Sequence, residues 1–391
     1  MRILYASERP PYPFFLGGAA RCAHKLLHSL SGELGVPCAA VGSSDYTVTP
    51  WAFPDPSDYG TLGVKAAQPN AHGGGIDCGY PVVVIADFVA GLDGFIDQFK
   101  PSLIWAQLEG AKEVLHLASK RNIQGLLYLH DAEFDPNELR AVADLGCHIV
   151  CNSEFLAEKT NRVTRRRAHV VYPAAELYFG TEGDPNGYVT MINPHRVKGI
   201  DTFFAIAQRL PSQKFLLLES WKLNAADLAT LQAQLAGAPN VRFVRRVSDM
   251  RSIYRETKLL LVPSVWEEGF GMVAIEAQSC GIPVIASARG GLPESVGDGG
   301  ILIRDYLNVD AWVEAIDPML GNVSAYNDWS RRALRHASAD NFAPTQLARR
   351  FLEACSAAPP RTAAHSRVLN AARDRLQKIP VLDKLMRRAF R

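Results

Sequence analysis

Twice along this chain, short apolar runs alternate with stretches of helical periodicity, and a polar, turn-rich segment separates the two series. Strands that alternate with helices close into parallel sheets whose faces are covered by the crossover helices, so this pattern excludes all-α and all-β architectures. The first series offers strands over Arg2–Ser7, Cys38–Ser43, Pro81–Ala86, Ser102–Gln107, Gly125–Asp131, His148–Ser153 and His169–Pro173, with helices such as Gly18–Leu30 and Glu109–Lys120 between them. The second offers Tyr188–Asn193, Lys214–Glu219, Val241–Arg246, Lys258–Ser264 and Pro283–Ser287, and then helical pattern alone from Asp310 to about Ala357.

A chain of 391 residues exceeds one ordinary core. The linker is placed at Phe179–Gly187, giving one domain over residues 1–178, a second over 188–357, and a basic helical tail over 358–391. Two Rossmann-like domains of this kind bind ligands in the cleft between them. Residues 44–80, rich in Gly, Pro, Asp and Asn, are longer than a scaffold connection requires and read as functional or mobile.

Net charge is only +2, which points away from nucleic acid as a partner. From Arg361 to the end, however, nine Lys/Arg face only Asp374 and Asp383. Docking of this tail on the first domain is the simpler reading, and a peripheral contact with an anionic membrane surface the alternative. Seven cysteines without a C-x-x-C pair read as reduced thiols, and no apolar run reaches 18 residues, so a cytoplasmic protein is expected.

Chemistry concentrates in two places. The loop after the first strand ends in Gly17-Gly18 where a helix starts, so its amides can approach an anion. The second place is SVWEEGFGMVAIEAQSCGIPVIAS, residues 264–287. A strand ends, a loop carries Glu268 and Gly269-Phe270-Gly271, and a helix over Gly271–Cys280 carries Glu276 among apolar residues. The helix start sits at the carboxyl end of the sheet, so the glycine amides face the cleft and Glu276 lies about a turn inside. A dinucleotide fingerprint is absent, which argues against a nicotinamide enzyme.

This string resembles the E-x7-E signature of family 4 retaining glycosyltransferases with the GT-B fold, through Glu268, Glu276, Gly269-Phe270-Gly271, Gly281, Pro283 and Gly290-Gly291-Leu292-Pro293-Glu294. The likeness is strongest from Tyr188 to Ile303 and weakest in residues 44–80 and the tail. It implies two Rossmann-like domains facing each other across a cleft, with C-terminal helices. The implied activity is transfer of a hexose-like sugar from a nucleotide-diphosphate sugar to a hydroxyl of a glycan, lipid-linked or small-molecule acceptor, within glycan biosynthesis.

The roles the resemblance implies are specific. Glu276 holds the ribose hydroxyls, Glu268 contacts the transferred sugar, and Lys198 clamps the diphosphate. Arg196 stands in for an arginine that the family places where this chain has Asn193, with Arg245 and Arg246 as further candidates. His130 closes a strand near the acceptor side. Asn152-Ser153-Glu154 also resembles the family, but these residues read by themselves as a helix cap, Asn152 or Ser153 with a carboxylate in the first turn. No cofactor is expected, and no metal, because D-x-D is missing from the chain. The competing readings are a nucleotide-sugar epimerase or phosphorylase on the same fold, and an inactive binding or scaffold protein.

Overall fold

The computed structural model describes residues 1–44, 65–66 and 75–357. Most of the 44–80 loop and all of the basic tail therefore lie outside the described residues. In the first unit, β1 (Ile3–Ser7) leads into α1 (Gly18–His28), then β2 (Cys38–Ser43), β3 (Lys65–Ala66), β4 (Gly75–Asp77) and β5 (Pro81–Ile85). Next come α2 (Phe88–Phe99), β6 (Leu103–Ala106), α3 (Ala111–Lys120), β7 (Gln124–Leu129), α4 (Pro136–Asp144), β8 (His148–Cys151), α5 (Glu154–Thr164) and β9 (His169–Val170). The sheet runs β3-β4-β5-β2-β1-β6-β7-β8-β9, parallel except for the antiparallel β3 and β4 at one edge. Strands β1, β2 and β6 are buried along their whole length, which is why they read as unbroken apolar runs.

The second unit contains β10 (Tyr188–Ile192), α6 (Ile200–Arg209), β11 (Phe215–Leu218), α7 (Ala225–Ala236), β12 (Val241–Val244), α8 (Arg251–Tyr254), β13 (Thr257–Val262) and α9 (Met272–Gln278). Strand β14 (Val284–Ser287), α10 (Leu292–Val296), β15 (Gly300–Ile303), α11 (Val309–Gly321), α12 (Val323–Ala337) and α13 (Pro344–Ser356) complete the chain. Its six strands are all parallel, in the order β12-β11-β10-β13-β14-β15. The order reverses at β10, which pairs with both β11 and β13, and a crevice opens beyond their carboxyl ends. The first sheet reverses at β1 in the same way.

One boundary needs correction. Helix α13 follows the second unit in sequence but packs in the first. Leu347, Ala348, Phe351 and Ala354 are buried in one cluster with Ile3, Tyr5, Trp105 and Tyr128, and the Phe351 ring lies 4.9 Å from that of Trp105. Burying this apolar face is worth more than keeping the helix beside its sequence neighbours. The second domain therefore ends before Pro344, not at residue 357. The segment expected as the linker, 179–187, is pinned to the second unit where Gly183 N donates to the Cys280 carbonyl and Asp184 N to that of Thr257.

Candidate active site

A cavity of about 660 Å³ opens between the two units and is lined from both. Gly17, Gly18 and His130 reach it from the first; Lys198, Glu268, Gly269, Phe270, Gly271 and Glu276 reach it from the second. Arg196 does not line it. Its side chain is 88% exposed and lies 3.8 Å from Asp201. Arg196–Lys198 is a 3-10 turn, in which each residue advances about 120°, so side chains two apart diverge and only Lys198 turns inward. Arg246 lines the cavity, whereas Arg245 is bound to the buried Glu219 at 2.5 Å.

Lys198 and Glu268 meet at the floor. The ammonium donates to Glu268 Oε1 and Oε2 at 2.7 and 2.9 Å, and Ser264 Oγ donates to Oε1 at 2.5 Å. Trp221 and Trp266 flank the same ammonium, their ring centres 4.7 and 4.6 Å away, adding cation–π attraction of about 0.5–2 kcal/mol each. The loops carrying the two charges can touch because Gly199 adopts φ +85° and a Cβ there would stand 1.9 Å from the Pro263 carbonyl. Neither tryptophan was foreseen. Each lies just beyond the carboxyl end of a strand, which was the available signal.

Helix α9 is shorter than expected, seven residues rather than ten, so its dipole contributes less at the cleft. Glu276 lies in its second turn, half-buried, and accepts a hydrogen bond from Tyr254 Oη at 3.2 Å. Burial raises its carboxyl from the ordinary 4.5 to about 7, against the opposing pull of Arg21 and the Tyr254 hydroxyl. Arg21, one turn into α1, also lines the cavity and was missed because nothing in its spacing marks it. Phe270 contributes backbone only: its ring is buried against Tyr172 and Phe342.

The two units touch tightly here. A Cβ at Gly269 would fall 1.9 Å from the His130 carbonyl, and one at Gly18 would fall 2.6 Å from Met272 Cε. Asn152 Nδ2 donates to that same His130 carbonyl at 2.9 Å, so Asn152 braces the loop while Ser153 caps α5 by accepting from Leu156 N. The other free amides of the α5 start, Glu154 N and Phe155 N, donate to the Glu294 carboxylate across the interface at 2.7 and 2.9 Å. Lys159 on the same helix pairs with Glu267 at 2.8 Å. The His130 ring hydrogen-bonds Gln107 at 2.9 Å, and burial lowers its pKa to about 3.

Two units with switch points face to face and a cationic, carboxylate-bearing floor invite comparison with known proteins. Residues 182–336 match the family of glycosyl transferases, group 1. That segment carries Lys198, Glu268 and Glu276. D-inositol 3-phosphate glycosyltransferase of Mycobacterium sp. (strain JLS) is 33% identical over 223 residues, covering 50% of this chain and 49% of that protein. Its counterpart in Mycobacteroides abscessus is 35% identical over 182 residues, covering 44% and 40%. The matches thus span about half the length of these curated relatives or less.

Among solved structures, Anabaena HepE in complex with UDP superposes with a TM-score of 0.72 at 18% identity, covering 92% of this chain and 100% of that one. Sucrose-phosphate synthase from Thermosynechococcus elongatus gives 0.69 at 18% identity, covering 90% and 98%. The fold is GT-B, as the resemblance implied.

Proposed function

We propose that the protein is a retaining glycosyltransferase that moves a sugar from a nucleotide-diphosphate sugar to an acceptor hydroxyl. The observation that carries this reading is the convergence of Lys198, Glu268 and Glu276, eight residues or more apart in sequence, on one interdomain cavity within the segment that matches the glycosyl transferase family. In this reading Glu276 accepts from the ribose hydroxyls, charge-assisted bonds worth about 1.5–3 kcal/mol each. Glu268 accepts from hydroxyls of the transferred sugar. Lys198 and the amides of Gly269–Gly271 balance the charge that develops on the departing diphosphate, an electrostatic role. The start of α1 at Gly17-Gly18 faces the same charge from the opposite domain.

Retention follows if the departing phosphate accepts the acceptor's proton on the face it leaves, as the family resemblance implies. The cations of the cavity make a metal unnecessary in this scheme, and turnover should survive EDTA. Closure of the two units would exclude water and so protect the donor from hydrolysis. The acceptor would enter beside His130; the names of the curated relatives make D-inositol 3-phosphate one acceptor to try beside glycans and lipid-linked sugars.

We place the protein in the cytoplasm; docking of residues 361–391 on the first domain is the simpler reading of the tail, and peripheral contact with the inner face of a membrane is the alternative. Among the described residues no helix is long and apolar enough to cross a membrane. The deciding experiment is a thermal-shift screen of UDP-, GDP-, ADP-, TDP- and CMP-sugars, followed by an acceptor assay with and without EDTA. Failure of every nucleotide sugar to raise the melting temperature would favour a scaffold protein instead.

A further inference from the structure

Gln107 directly follows β6 as a fully buried polar residue, 0% exposed, at the carboxyl edge of the sheet. Its amide nitrogen lies 2.9 Å from Tyr5 Oη and 3.1 Å from the Ala19 carbonyl, while its amide oxygen lies 2.9 Å from His130 Nε2. The Ala19 carbonyl can only accept, which fixes which end of the amide points where. An amide oxygen can only accept as well, so the proton facing it belongs to His130 Nε2. The neutral ring then carries its lone pair on Nδ1, and His130 is one of the residues lining the cavity.

We propose that Gln107 is a positioning residue that fixes the Nε2-protonated tautomer of His130, so that Nδ1 accepts a hydrogen bond from a substrate hydroxyl in the cleft. The site deepens the glycosyltransferase reading and rests on it for the identity of that hydroxyl, but not for the tautomer. A histidine held neutral and accepting selects a hydroxyl over a phosphate oxygen, because an oxyanion has no proton to give. The tight packing of the ring supports this: Tyr128 lies 4.3 Å from it, and burial holds the ring uncharged far below neutral pH. Orientation of a functional imidazole through its other nitrogen is the general device by which such rings are aimed.

The test uses the full-length protein labelled with ¹⁵N. Two-bond ¹H–¹⁵N spectra, with His130 assigned by its loss in His130→Asn, should show the Nε2-protonated neutral ring from pH 5.5 to 8. Tyr5→Phe removes a partner at the far end of the amide and should leave that pattern unchanged. Gln107→Leu removes the acceptor and should give mixed tautomers, with kcat for transfer lowered about tenfold or more and KM for the nucleotide sugar within about twofold. Should the leucine variant not fold, Gln107→Glu serves: its carboxylate also accepts from Nε2 but favours the doubly protonated ring, and kcat should again fall.

An Nδ1-protonated or doubly protonated ring in the unaltered protein overturns the proposal, as does a Gln107→Leu variant with unchanged tautomer and kcat. Failure of all nucleotide sugars to turn over would overturn the glycosyltransferase reading instead, and the spectra would still decide what Gln107 does.

Discussion

The ammonium of Lys198 lies within 3 Å of both carboxylate oxygens of Glu268, at 2.7 and 2.9 Å. The cation expected to hold a diphosphate is thus satisfied by the carboxylate expected to hold the sugar. Removing Glu268's charge frees the cation. Glu268→Gln should bind nucleoside diphosphate several-fold more tightly by calorimetry, while transfer falls by about a hundredfold or more. Unchanged turnover would remove Glu268 from the machinery.

The converse change is structural as well as functional. Lys198→Ala leaves Glu268 largely buried without its partner, a loss of about 3–5 kcal/mol for a fully buried pair and less here because both groups keep slight exposure, 13% and 9%. Denaturant melts should show that loss, and Lys198→Ala/Glu268→Gln together should recover part of it.

Glu276 gives a pH test with a defined sign. Its folded-state pKa, about 7, exceeds the ordinary 4.5, so its burial is tolerated fully below pH 4.5 and costs stability as pH rises through 7. Glu276→Gln should therefore raise the melting temperature at pH 8 and have little effect at pH 4.5. Donor affinity in the unaltered protein should strengthen as pH rises through about 7, because the ionised form accepts from hydroxyls, and Glu276→Gln should be weak throughout. A flat affinity profile would rule out ionised Glu276 as the ribose contact.

Arg196→Ala should leave kcat and KM within about twofold, since an exposed pair at 3.8 Å contributes little. A loss of tenfold or more would mean that the loop reorganises when donor binds.

Closure can be tested where the units meet. Gly269→Ala sets a methyl against the His130 carbonyl and should hold the cleft open, cutting transfer while the melting temperature changes by only a few degrees. Glu294→Ala frees two amides of α5, at a cost of about 1–2 kcal/mol to the interface. Small-angle scattering should report a larger radius of gyration for both variants.

The sheets were legible because buried parallel strands are continuous apolar runs, and the loop at residues 264–276 stood out because two carboxylates flank a Gly-Phe-Gly turn after a strand. Strand β15 was absent from the expected strands: it is only four residues long and opens on Gly300, which pairs with Val284 but carries no strand preference. The packing of α13 could not be read, since an amphipathic face states that it will be buried but not against what. Arg196 was proposed by proximity in sequence to Lys198, and a 3-10 turn separates such neighbours. Arg21 reaches the site only through the fold; Trp221 and Trp266 left the trace of lying just beyond strand ends, and Gln107 that of a polar residue after the apolar run Leu103–Ala106.

The return of α13 into the first unit means that the polypeptide passes between the halves twice, once near residues 179–187 and once before Pro344. A single tether would allow the halves to swing and twist independently. Two tethers set a line about which rotation is easy and resist motion in other directions, so opening and closing becomes movement in one dimension. They also make the halves inseparable by a cut at the linker alone: a fragment ending at residue 178 would leave Trp105 and Tyr128 without the Phe351 that covers them.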